Sequence, residues 1–476
     1  MIEIMIHLQQ DLKAALYEQI YEYIKQEIAD GNISMGEKLP STRLLAKNLS
    51  VSRSTVELAY EQLLSEGYLE SRPGSGYYAC DIGEIYQVQK EEKIEVRIPK
   101  QHDYIYDFSP YMVDLRYFPY NVWKKITRMV ISEEDELFKA GNSSGEDNLK
   151  EEVAKYLHQA RGVKCNKDQI IIGSGNDYLL LLLAQILGIK KRVVMENPTY
   201  IQAYRTFCNM DYSVYGAKMD KDGISLADIK KVQPDIVYTM PSHQYPLGIV
   251  MPLKRRMELL SWANEDSRRY IIEDDHDSEF RYKGKPIPSL QGYDTSGKVI
   301  YLGTFSKSIA PAIRIGYMVL PKEMLKQYYE NCGFYSATVS KMQQEILFRF
   351  MEGGYFERHL NRMRGIYKAK HDYFFSLIKN QPWVKRIYGD NAGLHLLVEI
   401  ESKKKKEEID ALAKEHSIKL YFLSDNYIKE DVLNIFQAKE TKSKEELTLI
   451  LGYGKMSEEE LEKGIELLGN ILEKTV

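Results

Sequence analysis

From about residue 106 onward the chain alternates strand-like apolar runs with helix-like segments, and this limits its fold more than any other feature. Strand-like runs fall at 169–173, 192–195, 235–239 and 298–302, and a buried helix is expected over 177–187. A carboxylate-rich strand begins at residue 270. That order predicts an α/β domain built on a mostly parallel sheet with flanking helices. Helices expected over 342–353 and 355–373, then strands near 393–400, add a smaller α+β subdomain. With 476 residues, the chain has room for two to four domains, each burying its own core.

Composition removes several classes. Hydrophobic content of 44% and charged content of 28% are ordinary globular values. The four cysteines, Cys80, Cys165, Cys208 and Cys332, have no paired spacing, so neither a disulfide framework nor a zinc site is expected. The longest apolar stretch, 179–189, is too short to span a membrane, and no signal peptide is read at the start. A cytoplasmic protein is expected. The net charge of −4 argues against bulk non-specific binding of nucleic acid. Charge is unevenly spread, however. Residues 38–56 carry Lys38, Arg43, Lys47 and Arg53 with no acidic residue.

The first eighty residues predict three helices and a hairpin. Apolar periodicity supports a helix over 12–28, closed by Asp30-Gly31-Asn32. Ser41 is an N-cap for a second helix, and a third runs from about residue 52 to 65. Residues 68–78 read as two short strands about a Pro73-Gly74 turn. The segments Leu39-Pro-Ser-Thr-Arg43, Val51-Ser-Arg-Ser-Thr-Val56, Ala59-Tyr60 and Gly74-Ser-Gly76 resemble the GntR-type winged helix-turn-helix. The resemblance implies double-stranded DNA as a partner. Arg53, Ser54 and Thr55 would face bases and phosphates in the major groove. Arg43 and Lys47 would meet backbone phosphates, and Arg72 would sit on the wing near the minor groove. Glu57 is a departure, an acid where related helices often carry a base. The DNA-binding domain is placed at 12–80, a linker at 81–105 and the large domain at 106–474.

Within the large domain, Lys307 stands between the hydroxyls of Thr304 and Ser306, with Arg314 seven residues on. Hydroxyls and a guanidinium at this spacing make an anion site beside an amine. The run Gly303–Tyr317 resembles the lysine motif of fold-type I pyridoxal-phosphate enzymes, the aminotransferase superfamily. This implies pyridoxal 5'-phosphate as cofactor and Lys307 as its Schiff-base lysine. The turn Ser174, Gly175 and Asn176 precedes a helix and completes a phosphate cup with Arg314. Tyr200 is placed to stack on the pyridine ring, a structural core tyrosine being the alternative. Asp274 would hold the ring nitrogen protonated, and His276 stands where relatives more often have a tyrosine bonding O3′. The cluster Glu273 to Asp277 also raises a metal site, but consecutive strand residues face opposite sides, so no metal is expected.

The run Met240-Pro-Ser-His-Gln-Tyr-Pro-Leu-Gly248 is similar to one branch, the MocR-type regulators, in which a GntR reader is fused to an aminotransferase-like domain. The resemblance covers essentially the whole chain. It implies a homodimeric transcription regulator that senses an amine, an amino acid or the vitamin B6 cofactor itself at Lys307. The arginine that aminotransferases use for the substrate carboxylate falls at Ile450, so efficient transamination is not expected; Arg205, Arg116 and Arg281 are the candidate replacements. Two alternatives stand beside this: an active aminotransferase with an accessory DNA-binding domain, and a DNA-binding repressor that has lost the cofactor.

Overall fold

The computed structural model describes residues 4, 6, 8, 14–81, 102–132, 135–282, 287–389, 392–428 and 447–473. Contacts divide the chain into two units, Met1–Gln101 and His102–Val476. Leu12 and most of the expected linker lie outside the described residues.

In the first unit, helix α1 (Leu16–Ala29) buries Ile20, Tyr21, Ile24 and Ile28, a stripe at helical spacing. Helix α2 (Thr42–Leu49) starts where the Ser41 Oγ accepts the Leu44 N–H at 3.2 Å. It stops at Ser50, which is left-handed at φ 55°. Ser52 then caps α3 (Arg53–Ser65) by accepting the Thr55 N–H at 3.1 Å. Val56, Ala59, Tyr60 and Leu63 face inward, and the Tyr60 hydroxyl donates to the Pro40 carbonyl at 2.9 Å. Strands β1 (Leu69–Arg72) and β2 (Gly76–Ala79) pair antiparallel, Leu69 opposite Ala79 and Arg72 opposite Gly76. Gly74 turns between them at φ 73°, a conformation that favours glycine. The three helices and the hairpin share one apolar core.

The second unit is organised by an eight-stranded sheet. Its strands are β4 (Ile170–Gly173), β5 (Arg192–Asn197), β6 (Ser213–Asp220), β7 (Gly223–Ile224), β8 (Ile236–Thr239), β9 (Tyr270–Asp275), β10 (Val299–Thr304) and β11 (Gly316–Val319), in the order β4-β11-β10-β9-β8-β5-β6-β7. From β10 to β6 neighbours run parallel; β4, β11 and β7 pair antiparallel. Both faces are covered. Ile171 of β4 packs with the helix Asn176–Leu187, whereas Ile170 and Ile172 pack on the other face with the helices Asp147–Arg161 and Lys341–Glu352. Strand order reverses between β5 and β8, the switch point where open α/β sheets leave a crevice at the strand carboxyl ends.

A smaller sheet, β12 (Val384–Tyr388), β13 (His395–Ile400) and β15 (Thr448–Gly452), packs under the helices Lys406–Glu415 and Glu458–Glu473. A short parallel pair joins β3 (Tyr106–Asp107) to β14 (Ile418–Lys419). Strand β12 was not anticipated. Its residues are half-buried or exposed, as on a sheet edge, so no apolar run marks it.

Candidate cofactor pocket and nucleic-acid interface

At the carboxyl ends of β8, β9 and β10 the second unit encloses a cavity of about 210 Å³. Lys307, Asp274, His276, Asn176, Tyr200, Thr304, Ser306 and Arg314 all line it, although the sequence spreads them over more than a hundred residues. Six more residues share the wall that were not expected as site residues: Tyr111, Asp177, Gln202, Met240, Tyr245 and Pro311. A larger cavity, about 360 Å³, lies against Tyr156, Arg161, Glu279 and Arg281 and contains none of the expected cofactor residues.

Lys307 is buried, and its Nζ has no hydrogen-bond partner among the described residues. The nearest counter-charge is the Asp277 Oδ2 at 3.7 Å. Burial pushes the Lys307 ammonium below the ordinary lysine range, with Asp277, Glu279 and Asp274 opposing that shift. A lysine biased toward its neutral form is a ready nucleophile for an aldehyde.

Asp274 sits at the end of β9. Its Oδ2 accepts from the Tyr238 hydroxyl and, at 3.0 Å, from the Asn176 Nδ2; neither bond engages Oδ1. Burial raises its pKa, and His276 with these two donors pulls it back. Tyr238 is therefore a supporting residue that no motif signalled.

The phosphate cup differs from the expected one. The Ser174 N–H donates to Thr338 Oγ1 at 3.1 Å and the Gly175 N–H to the Gly173 carbonyl at 2.8 Å, so both turn amides are already used. Neither Ser174 nor Gly175 lines the cavity. The Asn176 side chain serves Asp274 instead. What remains at that end is the amino terminus of the helix Asn176–Leu187, whose first-turn amides lack intrahelical partners, together with Thr304, Ser306 and Arg314. Arg314 is held by the Ser174 carbonyl at 3.4 Å and Asp177 Oδ2 at 3.3 Å. The Thr304 Oγ1 accepts the Ser306 N–H at 3.1 Å and donates to Ser306 Oγ at 3.0 Å.

The clustered carboxylates of β9 separate by role. Glu273 accepts the Leu290 and Gln291 N–H groups, each at 2.8 Å. Asp275 pairs with Arg161 at 2.7 Å. The strand ends at Asp275, so alternation does not govern His276 and Asp277. These two converge with His243, ligand atoms of all three lying within 4.8 Å of one another, a spacing that could hold a metal ion. His276 and Asp277 can therefore point to one side, unlike consecutive residues within the strand. This carboxylate already has partners on both oxygens: Asp277 Oδ1 bonds His243 Nδ1 at 2.9 Å, and its Oδ2 faces the Lys307 amine. Burial alone would raise the Asp277 pKa, but His243, His276 and Lys307 hold it well below the carboxylate range.

The candidate carboxylate-binding arginines do not reach the cavity. Arg116 grips Asp114 at 2.8 and 2.6 Å, Arg281 lines the larger cavity, and Arg205 is exposed outside both. Ile450 is fully buried opposite Leu397 and shares an apolar cluster with Tyr245 and the half-buried Tyr111, Tyr200 and Tyr421.

In the first unit Arg43, Lys47, Arg53, Ser54 and Arg72 are exposed and Thr55 half-buried. Ser52 Oγ lies 2.8 Å from Ser54 Oγ and 2.7 Å from Thr55 Oγ1, which fixes the first turn of α3. Arg53 pairs with Glu57 at 2.7 Å, so the acid that departs from the related helices orients the arginine. On the wing, Arg72 pairs with Glu70 at 2.5 Å and stacks 4.3 Å from the Tyr78 ring. Among the described residues no helix is long and apolar enough to cross a membrane.

A winged helix-turn-helix on one unit and a lysine-centred pocket at the carboxyl edge of an aminotransferase-type sheet on the other define a two-part class. Residues 16–78 match the family "Bacterial regulatory proteins, gntR family", and residues 113–424 match "Aminotransferase class I and II". The HTH-type transcriptional regulator YdeL of Bacillus subtilis is 39% identical over 97% of each chain. The probable rhizopine catabolism regulatory protein MocR of Rhizobium meliloti is 33% identical over 83% of each. The pyridoxine biosynthesis transcriptional regulator PdxR of Corynebacterium glutamicum is 30% identical over 80% of this chain and 82% of its own. The crystal structure of Pyrococcus horikoshii kynurenine aminotransferase superposes with a TM-score of 0.67, covering 82% of this chain and 98% of that one; at 24% identity the likeness is one of fold. The chain belongs to the MocR-type HTH transcriptional regulators, which join a GntR domain to an aminotransferase class I and II domain.

Proposed function

We propose that the chain is a homodimeric, DNA-binding transcription regulator whose large domain, 106–474, binds pyridoxal 5'-phosphate and senses an amine, an amino acid or the cofactor itself at Lys307. The observation that carries this reading is the buried Lys307 amine, without a hydrogen-bond partner, in a cavity with a carboxylate on one side and hydroxyls, a guanidinium and a helix amino terminus on another. The donor set suits that cofactor: an amine for its aldehyde, an anion site for its phosphate, and Asp274 for its ring nitrogen. The unpartnered Oδ1 of Asn176 adds a further free polar atom at the wall. When bound, pyridoxal phosphate supplies an aldehyde that condenses with primary amines and a ring that accepts electrons.

The chain's own residues do the rest. Asp277 holds Lys307 in place, and His243 holds Asp277. Tyr238 and Asn176 fix the Asp274 carboxylate, and Asp177 fixes Arg314. In the DNA domain, 12–80, Arg53 and Thr55 present the first turn of α3 to the major groove, while Arg43, Lys47 and Arg72 meet phosphates. Coupling between ligand and DNA of about 1–3 kcal/mol would change DNA affinity about 5- to 150-fold.

Two measurements test this. Borohydride treatment of protein mixed with pyridoxal phosphate is expected to trap a covalent adduct in wild type and none at this site in Lys307→Ala; an undiminished adduct in the variant would overturn the cofactor assignment. Arg53→Ala is expected to weaken binding to DNA flanking the protein's own gene by about 1–3 kcal/mol. Unchanged affinity and specificity would overturn the DNA assignment.

A further inference from the structure

We infer that the ligand taken up beside Lys307 is a small primary amine that carries no carboxylate. This rests on the cofactor reading above and narrows it to one ligand class.

Charge around the cavity disfavours a carboxylate on the ligand. Among the described residues, the acidic and basic side chains on its wall are Asp177, Asp274, His276, Lys307 and Arg314. All three basic groups already face a carboxylate: Arg314 faces Asp177 at 3.3 Å, and Lys307 and His276 face Asp277 at 3.7 and 3.3 Å. Arg314 also stands at the helix amino terminus, the end suited to a phosphate. A carboxylate on the ligand would therefore be desolvated without a cation of its own, which is strongly unfavourable.

The remaining wall is aromatic. Tyr111 and Tyr245 share a hydrogen bond between their hydroxyls at 2.8 Å. Their rings lie 6.2 and 6.3 Å from that of Tyr200. Burial pushes the Tyr111 hydroxyl up to about 12 and raises Tyr200 and Tyr245 as well, so all three stay uncharged at neutral pH. Behind them the apolar cluster includes Leu397 and Ile450. Such rings accept alkyl and aryl groups, and their faces attract ammonium ions. Size gives a third limit. At about 210 Å³ the cavity is smaller than typical ligand pockets of about 300–1,000 Å³, so little room remains beside a cofactor.

The test uses the full chain reconstituted with pyridoxal phosphate and follows the cofactor's visible absorbance during titration with matched pairs: phenethylamine against phenylalanine, tyramine against tyrosine, 1,5-diaminopentane against lysine. Half-saturation at a concentration at least tenfold lower for the decarboxylated member of a pair is expected. An equal or better response to the amino acids, or no response to any amine, would overturn the inference while leaving cofactor binding intact. If no visible band forms on adding pyridoxal phosphate, the cofactor reading fails and this inference falls with it. Gln202→Arg, at an exposed position on the same wall, is expected to narrow the preference at least tenfold. An unchanged preference in that variant would show that charge does not set it.

Discussion

Asp277 places its Oδ2 3.7 Å from the Nζ of Lys307 while its Oδ1 bonds the Nδ1 of His243 at 2.9 Å. One fully buried carboxylate thus faces two basic groups, and its charge opposes the lowering of the Lys307 pKa by burial. Asp277→Asn is expected to lower the Lys307 pKa further, because burial remains and the nearest anion is gone. The pH midpoint for covalent trapping of pyridoxal phosphate should move down by about one unit or more. A midpoint that stays put or rises would show that Asp277 does not set the charge of Lys307.

Gly175 has φ 89° and ψ 177°, a region open to glycine alone, and a Cβ there would lie 3.1 Å from the Arg314 Nη2. Gly175→Ala is expected to cost about 1–3 kcal/mol in stability and to raise the Kd for pyridoxal phosphate at least tenfold. Gly188 has a similar backbone, φ 82° and ψ 166°, with nothing within 4 Å of its Cβ position. Gly188→Ala should lose similar stability and keep its cofactor affinity, as urea melts and fluorescence titration of the two variants would reveal.

Burial raises the Glu196 carboxyl to about 7, against the pull of hydrogen bonds from Thr239 at 2.5 Å and the Met240 N–H at 3.2 Å. Its folded pKa exceeds its unfolded one, so the stability it contributes is complete below the unfolded value near 4.5 and is lost as pH rises through 7. Glu196→Gln removes that titration. Relative to the variant, wild type should therefore lose up to about 3 kcal/mol between pH 5 and pH 8 in urea unfolding of the large unit. A stability difference independent of pH would contradict this.

Glu57 orients Arg53 but also carries negative charge on the helix expected to face DNA. Glu57→Gln is expected to strengthen binding to scrambled duplex several-fold at low salt and to reduce the ratio of specific to non-specific affinity. Anisotropy titrations with operator and scrambled DNA at two salt concentrations would separate these effects.

The features most legible in the sequence are local ones. The Ser41 and Ser52 caps, the Gly74 turn and the stripe Ile20, Ile24, Ile28 depend on residues a few positions apart, and each shows in its own segment. Lys307 and Asp274 were legible for a similar reason, because each lies in a compact motif. Tyr111, Tyr238, His243 and Asp277 were not. Tyr111 and Tyr238 are unremarkable in their own stretches, while His243 and Asp277 lie in runs that stand out for other reasons. Each takes its place at the site from a distant partner: Tyr111 from Tyr245, Tyr238 from Asp274, His243 from Asp277 and Asp277 from Lys307. The partner of the turn 174–176 was hidden in the same way, since the Thr338 hydroxyl that takes the Ser174 amide is 164 residues away.

The sequence by itself determined the order of elements, the winged reader with its basic face, and the presence of one lysine flanked by hydroxyls and an arginine. Hydrophobic period, capping and turn chemistry are short-range, so they are written in consecutive residues. Tertiary structure alone decided what surrounds that lysine. Strand order β10-β9-β8-β5 sets which strand ends meet at the crevice, and crossover connections, not local pattern, set that order. It brings the Asn176 side chain to Asp274 across 98 residues and places Tyr111, Tyr200 and Tyr245 along the wall of the same cavity.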